Sequence, residues 1–172
     1  MYTRGFSLIE ILMVIAIIGI LASVVMNPLQ SAREKAQVAR AQSDLNSFRA
    51  AIAALHGDVG QYPNDADSFC RTTVPSDNEV NLSAPTANLV ANGDGLSNWD
   101  GPYIASSSDP WGGAYYLDED YQCLAATEGC QGITDTGNDS SVLVSCGPNQ
   151  AIADGACAYD DDNIVLRLCD TS

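Results

Sequence analysis

GFSLIEILMVIAIIGILASVVM, residues 5–26, is the stretch on which the fold turns. From Ile11 to Met26 only Gly19 and Ser23 fall outside the apolar set, and the run extends back to Phe6 with a single charge, Glu10, inside it. As a helix rising about 1.5 Å per residue, Phe6 to Met26 would reach about 31 Å, enough to cross the hydrocarbon core of a bilayer. A removable secretory signal has a shorter apolar core with a small-residue cleavage site behind it. Here Asn27-Pro28 and then a helical pattern follow instead. A plain anchor explains the length but not the carboxylate, which costs about 2.5–3.5 kcal/mol well inside a spanning helix and less near an end. Glu10 therefore calls for a cationic partner. Ala16, Gly19 and Ala22 recur every three positions and would let another helix approach closely.

Beyond Pro28 the pattern becomes one-sided. Val38, Ala41, Leu45, Phe48, Ile52 and Leu55 alternate steps of three and four, while Arg33, Glu34, Lys35, Arg40, Asp44 and Arg49 lie mostly off that line. This spacing predicts an amphipathic helix with one stripe to bury. Gly57, Gly60 and Pro63 end it. The whole helix, Phe6 to about His56, would be about 75 Å long.

The remainder has a different character. Of the formal charge of −15, the part through His56 contributes +2 and the part from Gly57 onward −17. Such an acidic chain lacks the basic face that phosphates require, which excludes nucleic acid as the main partner. One histidine, His56, leaves little for His-based catalysis. There is no nucleophile elbow and no phosphate-binding glycine loop, so the chain is read as a non-enzyme. Residues 64–101, rich in Asn, Asp, Ser, Thr, Pro and Gly, predict a long surface excursion. Tyr115-Tyr116-Leu117 predicts a strand, Asp118-Glu119-Asp120 an acidic turn, and Tyr121 to Leu124 an antiparallel return. Val142-Leu143-Val144 predicts a buried strand. Ile164, Leu166 and Leu168, alternating with Val165 and Arg167, predict a half-exposed one. The fold class is α+β: one long helix whose stripe is covered by a small antiparallel sheet.

All six cysteines (Cys70, Cys123, Cys130, Cys146, Cys157, Cys169) follow the apolar run, with no C-x-x-C pair among them. An even count confined to one side predicts three disulfides in an oxidising space, and so a head outside the cytoplasmic membrane. Reduced cysteines packed as small apolar residues are the alternative. Six cysteines allow fifteen connectivities; the pairing favoured here is Cys123–Cys130, Cys146–Cys157 and Cys70–Cys169.

The junction Gly5-Phe6 after a leader carrying Arg4, with Glu10 five positions into the new chain and an apolar span behind it, closely resembles the prepilin signature. That signature belongs to type IV pilins and the pseudopilins of type II secretion. Gln61-Tyr62-Pro63, Trp99-Asp100-Gly101-Pro102-Tyr103-Ile104 and Asp109-Pro110-Trp111-Gly112 follow the order seen in the major pseudopilins. Pro28 stands one position later than the family's usual proline, with Asn27 in its place. The resemblance implies a pilin fold with residues 1–5 as leader, 6–28 as transmembrane and filament-core helix, 29–56 as amphipathic helix and 57–172 as an extracytoplasmic head. It implies cleavage between Gly5 and Phe6 by a prepilin peptidase, which also methylates Phe6. Glu10 would neutralise the amino terminus of a neighbouring copy in a helical filament. Further implied partners are membrane lipid before assembly, inner-membrane assembly proteins and minor pseudopilins, with the chain placed as a single-pass protein of the cytoplasmic membrane. The resemblance also implies calcium in the last loop. Asn149, Asp161 and Asp162 are its favoured ligands, with Ser145 and Asp154 beside them; Asn149 stands where an aspartate is usual. Several oxygens on a flexible loop are what calcium takes, and a solvated acidic loop is the bland alternative. The implied function is a structural subunit of a secretion pseudopilus. A type IV pilus subunit for adhesion, motility or DNA uptake, and a membrane-anchored binding protein, stand as alternatives.

Overall fold

The computed structural model describes residues 5–63, 79–106, 108–121, 140–153, 156–158, 160 and 162–170, leaving aside the side chains of 24–28, 120, 140, 153, 156, 169 and 170. Among the described residues one long helix, α1 (Leu8–Val59), is followed by six strands: β1 (Val80–Asn81), β2 (Tyr115–Tyr121), β3 (Ser140–Ser145), β4 (Ile152–Ala153), β5 (Ala156–Cys157) and β6 (Ile164–Asp170). The chain forms two compact units whose boundary falls inside α1, Met1–Gln37 and Val38–Ser172.

In the first unit the apolar side chains are uncovered: Phe6 is 84% exposed, Ile9 72% and Ile20 65%. Among the described residues no helix is long and apolar enough to cross a membrane. The side chains that would complete the run, at residues 24–28, are outside the described set.

In the second unit α1 meets a four-stranded antiparallel sheet of order β1-β2-β3-β6. The predicted stripe is the buried face: Ala41, Leu45, Phe48, Ile52 and Leu55 are all at most 1% exposed, with Val38 packed at its edge and Ala51 added to it. Gly60 stops the helix with φ +77°, its N–H donating to the His56 carbonyl, the left-handed terminus that favours glycine. Tyr115, Leu117, Leu143 and Ile164 supply the sheet side of this core, and Tyr62, Trp99, Tyr103 and Trp111 pack around it. Burying each large side chain contributes about 1.5–3 kcal/mol. A polar bond also crosses the layer: the Tyr115 hydroxyl donates to Asp44 Oδ2 at 2.8 Å.

Alternation sends β3's other residues, Val142 and Val144, to the opposite face. There they form a second cluster with Tyr116, Tyr121, Val165, Cys146 and Cys157. The sheet is thus covered on one side by the helix and lined on the other by an apolar patch containing two cysteines.

Two expectations need correction. Asp118-Glu119-Asp120 is not a turn: β2 runs unbroken from Tyr115 to Tyr121, and Asp118 and Glu119 are 1% and 0% exposed. Pairing with β3 decides the conformation against the local preference of acidic residues, and the irregularity they cause is a register shift between Asp118 and Tyr121. The excursion at 64–101 is also not merely superficial. Val80, Leu82, Ala87 and Leu89 enter the core, and β1 adds an edge strand to β2.

Candidate functional site

At the start of α1 the backbone N–H of Ser7 donates to Glu10 Oε2 at 2.9 Å. The Glu10 N–H in turn donates to the Ser7 carbonyl at 3.1 Å. Ser7 is thus the N-cap and Glu10 the third helical residue, reaching back to an otherwise orphaned donor as in a capping box. A carboxylate there also faces the positive end of the helix dipole. Gly5 and Phe6 are exposed and non-helical immediately before it.

The acidic loop between β3 and β6 is the second candidate. Cys146 and Cys157 are joined by a disulfide, as expected, with Cα atoms 4.9 Å apart. The hairpin β4–β5 lies inside the loop so closed. Cys70, Cys123 and Cys130, and the side chain of Cys169, lie outside the described residues, so the other two expected pairs do as well.

Of the five residues read as calcium ligands, Asn149 and Asp162 come to one place through Asp160. Asn149 Nδ2 donates to Asp160 Oδ2 at 2.8 Å, and the Asp162 N–H donates to Asp160 Oδ1 at 3.2 Å. Gly147, at φ +65°, lets the chain pass against the Asp162 carbonyl, where a Cβ would collide. Ser145 is not with them: it is buried, and its hydroxyl donates inward to Asp109 Oδ2 at 2.6 Å. Asp154 and Asp161 lie outside the described residues.

The donor chemistry suits calcium, which takes carboxylate, amide and carbonyl oxygens. One further observation favours a cation. Asn163 is fully buried, its Nδ2 donating to the Ala158 carbonyl at 2.7 Å and to the Tyr121 hydroxyl at 3.3 Å, yet its Oδ1 has no partner among the described residues. A buried acceptor left unmet is costly and asks for a donor, a water or a cation. Among the described residues, however, no three His, Cys, Asp or Glu side chains lie close enough to hold a metal. An ion here needs Asp154 or Asp161 as well.

Sequence reasoning passed over Asp160, Asn163 and Asp109. Asp160 and Asn163 flank the residues that were chosen, and nothing in a run of three aspartates says which one meets Asn149. Asp109 entered only as part of the Asp-Pro-Trp-Gly resemblance, although a carboxylate opening that stretch also accepts backbone N–H groups, here from Trp111 at 3.0 Å and Gly113 at 2.7 Å.

Residues 1–26 match the prokaryotic N-terminal methylation motif, and residues 28–141 match the family described as type II secretion system (T2SS), protein G. The type II secretion system core protein G of Klebsiella pneumoniae is 35% identical over 116 residues, covering 66% of this chain and 73% of that protein. The core protein G of Escherichia coli strain K12 is 36% identical over 115 residues, covering 66% of this chain and 70% of that protein. The type IV major pilin protein PilE1 of Neisseria gonorrhoeae is 32% identical over 98 residues, covering 52% of this chain and 59% of that protein. No solved structure matches. The family segment stops at residue 141, just short of the disulfide-closed loop. On the strength of the long matched segment and the methylation motif before it, the chain belongs to the protein G family of type II secretion pseudopilins, which are structural, non-enzymatic proteins.

Proposed function

We propose that this chain is a subunit of a secretion pseudopilus, cleaved between Gly5 and Phe6, methylated on Phe6, and polymerised through the first half of α1. Before assembly that segment sits in the cytoplasmic membrane with the head outside. Copies of the chain, a prepilin peptidase, inner-membrane secretion proteins and minor pseudopilins are its partners in this reading. The observation that carries it is the uncovered apolar face from Phe6 to Leu21 with one carboxylate at its head. A chain that leaves so much apolar surface bare has a lipid or a protein partner for it. In this reading Glu10, which turns back to the Ser7 N–H, receives the α-ammonium that hydrolysis after Gly5 creates, on its own copy or a neighbour. In a low-dielectric filament core such a pair is tolerable, whereas stripping one partner costs about 3–5 kcal/mol.

The loop between β3 and β6 takes calcium in this reading, held by Asn149, Asp162 and Asp160 with Asp154 and Asp161, and with Asn163 Oδ1 as the buried acceptor turned to use. Ser145 is left out because its hydroxyl is spent on Asp109. The ion would supply positive charge to a crowded acidic loop and cross-link its two arms. A type IV pilus is the second reading, favoured by the likeness to the gonococcal pilin. Mass spectrometry of the mature product, with imaging of fibres containing the chain, tests the proposal. A product starting at methylated Phe6 and recovered in fibres supports it; one that retains the first five residues overturns it.

A further inference from the structure

We infer that Asp109 is the positioning residue of the disulfide-closed loop, fixing the arm that leaves β3 independently of any ion. Asp109 is 3% exposed and accepts four hydrogen bonds. Oδ1 receives the backbone N–H groups of Trp111 at 3.0 Å and Gly113 at 2.7 Å. Oδ2 receives Ser145 Oγ at 2.6 Å and Gln150 Nε2 at 3.0 Å. All four partners donate, and only an ionised carboxylate offers four acceptor positions with no donor of its own. None of the four donors carries a charge. The charge is held by oriented neutral dipoles, which is affordable only if all of them stay in place.

The two oxygens serve two different segments. Oδ1 closes the turn 109–113, which the Asp109 N–H also joins by donating to the Gly113 carbonyl at 2.9 Å. Oδ2 reaches across to the loop. Ser145 ends β3 and stands opposite Tyr115, the first residue of β2, and Ile164, the first of β6. The contact therefore sits where the loop departs and returns. Ser145 Oγ also accepts the Gly147 N–H at 3.2 Å. Gln150 adopts φ +52°, a left-handed conformation rare for a side-chain-bearing residue, and its Nε2 donates also to the Gly147 carbonyl. Its amide oxygen lies where a Cβ on residue 113 would be, so Gly113 leaves room for the latch. Asp109, Gly113, Ser145, Gly147 and Gln150 thus form one device that sets the direction of the arm bearing Asn149.

Asp109→Asn separates the two functions. The Asn oxygen can still accept from the Trp111 and Gly113 N–H groups. Its NH2 then faces Ser145 Oγ, which can turn to accept it, and the donor-only Gln150 Nε2, whose amide could offer its oxygen instead only by giving up the bond to the Gly147 carbonyl. The experiment is residue-resolved amide hydrogen exchange on the full chain in detergent micelles with excess EGTA. In Asp109→Asn the amides of Gly147, Ala151 and Ala158 exchange at least about tenfold faster, while those of Trp111 and Gly113 keep their wild-type rates. An unchanged loop, or a turn that opens as much as the loop, overturns the inference. If that variant does not fold, Gln150→Ala decides: it leaves Asp109 and Ser145 intact and gives the same selective opening, and wild-type loop protection in it is equally fatal. Because chelator is present throughout, the outcome does not depend on calcium; the wild-type response to chelator alone bears on the calcium reading.

Discussion

Replacing Cys146 and Cys157 together by alanine removes the one cross-link seen among the described residues, and its cost follows from the length of chain it closes. The partners are 11 residues apart. In the chain-entropy treatment, releasing a loop of about 12 residues returns roughly 9–10 cal/mol/K to the unfolded ensemble, about 3 kcal/mol at 25 °C. Cys146 and Cys157 are 1% and 4% exposed within the cluster beneath the sheet, so deleting two sulfurs leaves small cavities worth about 1 kcal/mol in addition. A unit of about 135 residues unfolds with an entropy near 0.28 kcal/mol/K, which turns about 4 kcal/mol into a fall in Tm of about 14 °C. Near-UV circular dichroism is the suitable probe, because Trp99 and Trp111 pack against the core and report the head without the helical signal of the first unit. Reduction of the wild type is a poorer test, since it also reaches the four other cysteines. A fall of less than about 4 °C would refute the reasoning and place the constraint on this loop elsewhere.

Calcium chelation lowers the Tm of the wild-type head by several degrees, read on the same signal; identical melts with and without EGTA reject the ion. In the alanine pair the chelator effect changes in size, because two clamps on one loop are not independent. Tyr115→Phe removes a hydroxyl bonded to Asp44 and costs about 1–2 kcal/mol in urea unfolding, the lower part of the range for a charged partner because Asp44 keeps some solvent. Burial, and then the bond to Asp44, raises the Tyr115 phenol well above its ordinary value, and burial raises Tyr121 too. The folded state therefore keeps protons that the unfolded chain loses, so what these two tyrosines contribute is constant below about pH 10 and falls above it. For Tyr115 the loss is about 1.4 kcal/mol per pH unit, and Tyr115→Phe removes that part of the alkaline slope. Glu10→Ala leaves insertion and cleavage of Gly5–Phe6 intact but reduces fibre yield at least about tenfold, measured by shearing and immunoblot; an unchanged yield removes Glu10 from assembly.

The helix was legible because its message is periodic and repeated: six apolar residues at alternating steps of three and four can bury together only on one helical face, and they do. The sheet was half legible. Val142-Leu143-Val144 and Ile164 to Leu168 announce strands by their own composition, while Asp118 and Glu119 are held in β2 by pairing that no local pattern encodes. Val80 and Leu82 escaped notice for the same reason, being isolated apolar residues in a polar stretch that gain meaning only from Leu117 and Tyr115 opposite. At the candidate sites the difference is sharper. Gly5, Phe6 and Glu10 stand close together in the chain, inside the segment that matches the methylation motif, so a sequence pattern can single them out. The arrangement of the acidic loop was less legible, because Ser145 and Asp160 are sorted into inner and outer positions by partners elsewhere in the chain, Asp109 and Asn149.

That sorting has a consequence for how this head is built. The segment matching the protein G family ends at residue 141 and contains Asp109, Gly113 and Tyr115. The residues held through Asp109 Oδ2, Ser145 and Gln150, come after it, as do both cysteines of the disulfide. The loop that follows β3 needs a fixed point of departure, and a buried carboxylate with two oxygens provides one. One oxygen is committed to the turn before β2, and the other takes the Ser145 hydroxyl and the Gln150 amide at the start of the loop. Two alanine variants test that division of labour. Ser145→Ala and Gln150→Ala each leave the turn at 109–113 intact, and their effects on loop protection are not additive, because with either donor gone Oδ2 retains only one neutral dipole against its charge. Strict additivity would mean that Ser145 and Gln150 act separately and that Asp109 merely lies between them.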